Sequence, residues 1–265
     1  MNKLIIEVRI NEYAMRDGNR NVPWTAEDIG TTAREIALAG ASIVHFHARQ
    51  DDGKPAHGVE AYAAAIRAIR DNSDLLVHPT LGQITVAGQE ERIRHILELA
   101  QDPKLRPDLV GIDTGSTNID VYDARAKIFR SADKVYVNSH ETLMLFCRRL
   151  RACGVKPSLA AWSGPFLRSA EALLDMGLAE EPAYVLLVHC EGRHSGWAPG
   201  NSGRPQCLSR PPAKGAPHRM DGVLQGGQSL SCRHDGHCAR RSCRDRHRRL
   251  CVSGAWRTEQ RRACA

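Results

Sequence analysis

A change of composition near Gly192 most constrains what this 265-residue chain can fold into. Up to Gly192, apolar strand-like runs alternate with amphipathic helical stretches, and 22 Lys and Arg stand against 26 Asp and Glu, a charge of −4. From Arg193 to Ala265 there are 15 Lys and Arg, 14 of them Arg, against 4 Asp and Glu, a charge of +11. The formal net charge of +7 therefore originates in the C-terminal segment and indicates nothing about the partners of the rest.

Residues 193–265, here called the tail, contain few long aliphatic residues and show no hydrophobic periodicity. Such a segment cannot bury enough apolar surface to offset its chain entropy, so we expect it to be disordered. One interpretation is a zinc-binding or nucleic-acid-binding arm, because arginines suit phosphate and the tail has seven potential ligands: Cys232, His234, His237, Cys238, Cys243, His247 and Cys251. Their spacing matches no paired CxxC or HxxxH arrangement.

A shift of the reading frame near Gly192 is the alternative interpretation of the tail. GC-rich DNA read out of frame yields Arg, Cys, Ser, Pro and Gly, which are abundant here. Residues 191–202 and 240–251 can each be written as a DNA sequence with codons that encode them. When the reading frame of this DNA is moved by one base, both stretches translate into ordinary enzyme-like sequence. We therefore predict a partial domain at 1–192 and a non-native segment at 193–265.

The part before Gly192 has the character of a cytoplasmic protein. It shows no signal peptide and no apolar run near 18 residues, so we expect no membrane partner. Its cysteines, Cys147, Cys153 and Cys190, have no disulfide spacing and are predicted to be small core residues.

Alternating strand and helix patterns predict the fold class of this part. Predicted strands cover 4–10, 42–47, 75–80, 109–113, 134–138, 159–162 and 183–188, and predicted helices cover 26–39, 59–72, 89–100, 141–153 and 166–176. Thr25 and Asp28 have capping-box spacing at the first helix. This rhythm predicts an α/β fold with parallel strands and right-handed crossovers. A (β/α)8 TIM barrel, left incomplete by the tail, is favoured over an open sheet because no GxGxxG follows the first strand.

Two histidines at the end of the second predicted strand indicate a metal site. His45 and His47 are two residues apart, and in a strand such residues point to the same side. A pair of hydrogen-bonded core histidines is the alternative interpretation. Metal is favoured because the pair runs directly into a polar loop that begins at Arg49.

Other polar residues follow the strands at the same predicted end of the barrel. Glu12, after the first strand, is a candidate catalytic carboxylate or a solvated loop acid. Segments 78–82 and 113–118 supply hydroxyls and backbone N–H groups that could hold an anionic substrate. The candidate substrate-binding residues are Thr80, Gly82, Thr114, Gly115, Ser116 and Arg49.

Together these segments resemble the β-keto acid cleavage enzymes, the family often called 3-keto-5-aminohexanoate cleavage proteins. The resemblance covers residues 4–192 and includes Glu12, the helix start at 23–29, the turn at 114–116 and 138–139. Its most distinctive stretch is AGASIVHFHAR at 39–49, followed by a D-x-G turn. The frame-displaced text of 240–251 also resembles a late segment of the family, which supports a shifted frame.

The resemblance implies a zinc-dependent barrel that transfers between a β-keto acid and acetyl-CoA, giving acetoacetate and a new CoA thioester. By matched position, His45 and His47 are the implied Zn²⁺ ligands, Glu12 an active-site residue, and Thr80 and Thr114 substrate contacts. The implied partners are these small molecules and further copies of the intact chain in a homo-oligomer, and not nucleic acid.

Two departures from the family pattern concern the chemistry of the site. Ala160 stands where the family has a glutamate, and the family's third metal ligand would fall within the tail. The chain with its present tail is therefore expected to be inactive. The identity of the β-keto acid, the third ligand and the general base stay open.

Two other functions agree with parts of the sequence. A metal-dependent barrel hydrolase also carries a His-x-His motif, but usually on the first strand, whereas here it lies on the second. A basic nucleic-acid-binding protein built on the tail is the alternative outside catalysis.

Overall fold

The computed structural model describes residues 4–81, 86, 88–123 and 125–190, without the side chains of 189 and 190, and the backbone of five short later strands. The chain divides into two compact units. The first, here the N-terminal unit, comprises Ile5–Gly111 and Arg148–Pro157, and the second comprises Met1–Leu4, Ile112–Cys147 and Ser158–Ala265.

Five helices lie within the described residues: α1 Ala26–Leu38, α2 Val59–Asn72, α3 Gln89–Leu99, α4 His140–Ala152 and α5 Gly164–Asp175. The predicted capping box at α1 is present, since the Asp28 N–H donates to the Thr25 hydroxyl and the Thr25 N–H donates to the Asp28 carboxylate. These hydrogen bonds satisfy two amide groups that the first helical turn leaves without partners.

Eleven of the strands precede residue 191, namely β1 Leu4–Ile5, β2 Glu7–Arg9, β3 Ile43–Phe46, β4 Leu76–Pro79, β5 Leu109–Asp113, β6 Thr117–Asn118, β7 Tyr122–Asp123, β8 Ile128–Phe129, β9 Val135–Tyr136, β10 Lys156–Ala161 and β11 Tyr184–Cys190. Five follow it, namely β12 Ala198–Pro199, β13 Met220–Gln225, β14 Leu230–Cys232, β15 Cys238–Arg240 and β16 Val252–Ser253.

The N-terminal unit contains a parallel sheet in the order β2-β3-β4, with helices between successive strands. Arg9 is aligned with His45 across one strand pair, and His45 with His78 across the next. Asp108, directly before β5, extends this order, because its N–H donates to the Val77 carbonyl at 3.0 Å and its carboxylate accepts from the Val77 N–H at 2.8 Å. The α/β class with parallel strands is therefore confirmed.

The core of the N-terminal unit lies between this sheet and its helices. Val44 and Phe46 of β3 pack there with residues of α1 and α2, including Ile29, Tyr62 and Ile66, and all five are at most 1% exposed. Because side chains alternate along a strand, burying Val44 and Phe46 on this face directs His45 and His47 to the other.

The second unit contains a sheet in the order β15-β14-β13-β11-β10-β5, with β12 also paired to β11. Strand β11 pairs in parallel with both β10 and β13, whereas β13-β14 and β14-β15 are antiparallel. The tail therefore contributes strand backbone, which its sequence pattern did not predict. The physical reason is that the edge of β11 offers main-chain N–H and C=O groups, which can pair with backbone of almost any sequence.

The predicted parallel strand at 134–138 is wrong. The structure has only β9 there, which pairs antiparallel with β6, so that Tyr136 is aligned with Thr117. Val135 and Val137 are 53% and 58% exposed. The β-branched run resembles a buried strand in sequence, but here it pairs with the two-residue strand β6, which follows β5, and its valines face solvent.

Within the described residues, no helix combines the length and hydrophobicity needed to cross a bilayer. Cys147 and Cys153 are free thiols, the first buried and the second half-buried, as predicted for packing residues. The Cys190 side chain lies outside the described residues.

Candidate metal centre

His45 and His47 lie together on the face of β3 opposite the core, as their spacing predicts. Both are 4% exposed. Their ring centroids are 5.2 Å apart, and the rings meet edge to face at 80°. The two imidazoles are therefore close enough to bind one ion.

Glu12 completes a group of three potential metal ligands with these histidines. Its two carboxylate oxygens lie 3.5 Å from His47 Nε2 and 3.9 Å from His45 Nε2. Two atoms bound tetrahedrally to one zinc ion lie about 3.3 Å apart, as zinc–nitrogen and zinc–oxygen distances require. The three ligand atoms lie within 4.8 Å of one another, so the group is a candidate metal site by ligand type and separation, and its atoms would move closer together around an ion.

Burial and nearby charges favour the protonation states that bind a metal, namely neutral histidines and an ionised glutamate. Burial lowers the pKa of His47 to about 4 and holds the pKa of His45 well below its usual value, so both imidazoles are neutral at pH 7. Burial works to raise the pKa of Glu12, but the Arg9 guanidinium, 2.6 Å away, and His47 hold it below its usual value. Glu12 is therefore an anion, and both rings retain a lone pair for a cation.

A second group of ligand-type side chains shares His45 and lies deeper in the unit. Glu7 and His78 are fully buried, with Glu7 Oε2 3.4 Å from His78 Nδ1. Burial opposes ionisation of Glu7, yet His78, Arg9 and His45 hold its pKa far below the usual range. His45 therefore lies near two carboxylates, that of Glu12 in the first group and the buried, negatively charged Glu7 in the second.

Asn11 joins the strand end of His47 to the loop that carries Glu12. Its amide oxygen accepts from the His47 N–H at 2.9 Å, and its amide nitrogen donates to the carbonyls of His47 at 2.8 Å and Pro23 at 3.0 Å. Directly after Asn11, Glu12 adopts a φ of +43°, a left-handed conformation that is uncommon for residues other than glycine.

Arg49 lies beside the same loop and is 8% exposed. Its guanidinium donates to the carbonyls of Gly53 at 2.5 Å, Asn11 at 3.3 Å and Ala14 at 3.4 Å, and also to that of Glu12. Arg49, which the sequence predicts to contact substrate, therefore holds the main chain of the Glu12 loop.

Thr80 follows β4 in the same unit as the histidines. Its N–H donates to the Phe46 carbonyl at 3.1 Å, and its hydroxyl donates to the Leu81 carbonyl at 3.3 Å. Thr80 thus lies next to the end of β3. Gly82 lies outside the described residues.

Thr114, Gly115 and Ser116 form a turn after β5 in the second unit. Thr114 is fully buried, and its hydroxyl lies within 3.0 Å of the carbonyls of both Ala160 and Phe166. A side chain at Gly115 would meet the Phe166 ring at 2.7 Å, so only glycine fits there. The Ser116 hydroxyl accepts from the main chain of Asn138 at 2.8 Å.

Sequence reasoning found His45, His47 and Glu12 but missed Glu7 and Asn11. Glu7 interrupts an apolar strand at an alternate position from Arg9, which is a signal for an inward-facing charge. Asn11 carried no signal, because its partners are main-chain groups that are brought near only by folding.

The chain is thus an α/β protein with alternating parallel strands and helices, and two imidazoles and a carboxylate near its strand ends form a candidate metal site. The chain belongs to the beta-keto acid cleavage enzyme family, whose model matches residues 3–210. The predicted family membership is thereby confirmed, and the match favours the transferase interpretation over the metal-dependent hydrolase.

Three curated relatives carry names from this chemistry. The 3-keto-5-aminohexanoate cleavage enzymes of Fusobacterium nucleatum and Acetoanaerobium sticklandii are 29% and 27% identical over 190 residues, which is 71% of this chain and 63% of each relative. The 3-dehydrocarnitine:acetyl-CoA trimethylamine transferase of Rhizobium meliloti is 28% identical over 193 residues, 65% of this chain and 58% of the relative. The chain thus spans less than two thirds of the length of these relatives.

Among solved structures, the apo structure of ObcA is similar to this chain with a TM-score of 0.52 and 15% sequence identity. The similarity covers 64% of this chain and 36% of ObcA. At this level of identity it supports the fold alone.

Proposed function

We propose that this chain carries the metal-binding part of a zinc-dependent β-keto acid cleavage enzyme. The observation that supports the proposal most is the group of Glu12, His45 and His47, which lies inside the region that matches the family. We propose further that the strand order β2-β3-β4, extended through Asp108 to β5, belongs to a (β/α)8 TIM barrel.

The proposed reaction joins a β-keto acid to acetyl-CoA and then cleaves the product. The carbon between the keto and carboxylate groups loses a proton and attacks the carbonyl of acetyl-CoA, which expels the CoA thiolate. This thiolate then adds to the original keto carbonyl of the condensed product, and retro-Claisen cleavage of the C–C bond gives a new CoA thioester and the acetoacetate carbanion, which regains a proton. A zinc ion bound at this site would act as a Lewis acid on the keto and carboxylate oxygens of the substrate.

The chain's own residues have distinct parts in this proposal. His45 and His47 provide neutral nitrogen ligands because burial disfavours their protonated forms. Glu12 is kept ionised by Arg9 and stands against both rings, where a carboxylate can bind the cation or accept a proton from substrate. The choice between these two roles of Glu12 stays open.

The substrate contacts stay predictions: Thr80, Gly82, Arg49, Thr114, Gly115 and Ser116. Ala160, 6% exposed on β10, replaces the glutamate that the family pattern implies, so any proton transfer by that residue must fall to another group. The non-native character of 193–265, the cytoplasmic location and the homo-oligomeric state also stay predictions, and the tail's potential zinc ligands have side chains outside the described residues.

The test compares the present chain with a version in which one base is removed near the Gly192 codon. Both are assayed with acetyl-CoA and a panel of β-keto acids, following free acetoacetate and the CoA thioester. We expect turnover only from the frame-restored version, and its loss on removal of zinc by a chelator.

The variant His45→Ala in the frame-restored version should lose bound zinc and turnover together, because one of two nitrogen ligands is gone. The matched control is His57→Ala, an exposed histidine of the same unit, which should retain both. A folded frame-restored protein without activity on any β-keto acid, or His45→Ala with unchanged zinc content, would exclude the proposed function.

A further inference from the structure

Asn11 takes over strand pairing at the point where the main chain of β2 leaves the sheet. Up to Arg9 the pairing with β3 is regular, and the Ile10 N–H still donates to the His45 carbonyl at 3.1 Å. Directly after β3, the next peptide groups to need partners are those of His47. The Asn11 side chain binds both of them. Its amide oxygen accepts from the His47 N–H at 2.9 Å, and its amide nitrogen donates to the His47 carbonyl at 2.8 Å.

We propose that Asn11 is a positioning residue of the metal centre, whose amide side chain replaces the main chain as partner of His47 and so frees the chain to turn Glu12 toward the two imidazoles. The inference rests on the proposed function, because it concerns the same metal site. It adds a residue whose part in the site is to hold other residues.

Strand geometry shows why this replacement matters for Glu12. In a continued strand, residue 11 would be aligned with His47, and Glu12 would point to the opposite face, where Val44 and Phe46 pack in the core. The left-handed φ of +43° at Glu12 ends the strand and places its carboxylate beside His45 and His47 instead. The turn therefore determines which face receives the carboxylate.

A left-handed conformation at a glutamate costs free energy and persists only where surrounding contacts hold it. Asn11 provides such contacts on one side of the turn, since its third hydrogen bond, to the Pro23 carbonyl at 3.0 Å, anchors it to a separate loop. The side chain is 2% exposed, and its oxygen and both amide hydrogens are engaged by main-chain groups. A direct contact of Asn11 with substrate is therefore not its function.

The experiment uses the full 265-residue chain and does not depend on turnover. Asn11→Asp keeps the size of the side chain but replaces its two N–H donors by an oxygen, which faces the carbonyls of His47 and Pro23. The zinc dissociation constant is measured by competition with a chromophoric chelator, and the visible absorption of bound Co²⁺ reports the ligand geometry. We expect zinc binding weakened 10- to 100-fold, as roughly found for residues that orient metal ligands, and an altered Co²⁺ spectrum.

The matched control is Asn138→Asp. Asn138 is 4% exposed and also donates to a main-chain carbonyl, that of Gly115 at 3.1 Å, but it lies in the second unit. It should leave zinc affinity and the Co²⁺ spectrum unchanged. Asn11→Ser, which removes the bridge without adding a charge, is the second test variant, and thermal unfolding of each variant reports its folding.

A double-mutant cycle decides whether Asn11 acts through Glu12. If it does, Asn11→Asp combined with Glu12→Gln binds zinc no more weakly than Glu12→Gln alone. Additive losses, or folded Asn11 variants with wild-type zinc affinity, would overturn the inference while leaving the proposed function intact. Failure of both Asn11 variants to fold would assign the residue to stability and overturn it as well, whereas a wild-type chain that binds no metal would remove both proposals.

Discussion

At the scale of single residues, the buried histidines make the folded chain sensitive to acid. Burial lowers the pKa of His47 to about 4, whereas an unfolded histidine titrates near 6.5. Between these values the unfolded chain binds a proton that the folded chain does not. Stability is therefore expected to fall as the pH drops from about 6.5 to about 4, by roughly 2–3 kcal/mol from this residue.

Urea unfolding of the metal-free chain at pH 7.5 and pH 4.5 measures this loss. In His47→Asn, which has no titrating ring, the difference between the two pH values should shrink by most of that amount. His57→Asn is the comparison, because burial lowers the pKa of this more exposed histidine as well, and its replacement should reduce the difference by less than His47→Asn does. An equal pH dependence in His47→Asn and wild type would contradict the assigned pKa shift.

The residues of the candidate metal centre differ in how far the sequence could predict them. His45 and His47 were predictable, because a spacing of two residues places both rings on one face of any strand. Glu12 could be nominated only as a nearby acid, because a turn in the main chain, and not the strand period, brings it to the rings. Asn11 was not predictable, since its partners His47 and Pro23 become neighbours only in the folded chain.

At the scale of the elements, the start of α1 depends on its capping box. In Thr25→Ala the Asp28 N–H loses the hydroxyl that accepts from it at 3.1 Å. The loss of an N-cap side chain costs about 1 kcal/mol, and this helix packs through Ile29 into the core. We expect a destabilisation of about that size, measured by urea denaturation followed by far-ultraviolet circular dichroism.

Thr31→Ala controls for the change of residue type, because Thr31 is exposed within the same helix. Alanine is the better helix former there, so this variant should be as stable as wild type or slightly more so. If Thr25→Ala were as stable as Thr31→Ala, the capping box would contribute nothing.

The helices were predicted closely because each shows an amphipathic period over many residues. Predicted 59–72 coincides with α2, and predicted 26–39 differs from α1 by a single residue. Short strands were less reliable: 109–113 was correct for β5, but 134–138 yielded the antiparallel β9. A run of five residues holds no information about which strand it will pair with, and that choice determines its direction and exposure.

At the scale of the whole molecule, the frame interpretation predicts a large change in solution behaviour. The tail adds a charge of +11 and few aliphatic side chains, whereas a restored frame would supply further strands for the sheet and lower the isoelectric point. We expect the frame-restored version to give a higher soluble yield and a sharper thermal transition than the present chain, which should express poorly. Soluble yield and light scattering measure the difference.

Resequencing of the gene around the Gly192 codon is the direct control for this prediction. Equal solubility and equal unfolding midpoints in the two versions would contradict it, and would give the strand pairing of β13 with β11 a structural role. The family match ends at residue 210, so the test concerns the portion of the chain where relatives offer least guidance.

The left-handed turn at Glu12 also limits how this protein could be improved by laboratory evolution. Glycine adopts a φ of +43° at little cost, so Glu12→Gly would relieve backbone strain on the order of 1 kcal/mol. The same substitution removes the ion pair with Arg9, which is worth roughly 1 kcal/mol or less at a partly exposed site, so the two effects nearly cancel. A library screened for heat resistance alone would therefore exert little selection to keep the carboxylate that faces His45 and His47, and only a screen that also measures metal binding would retain it.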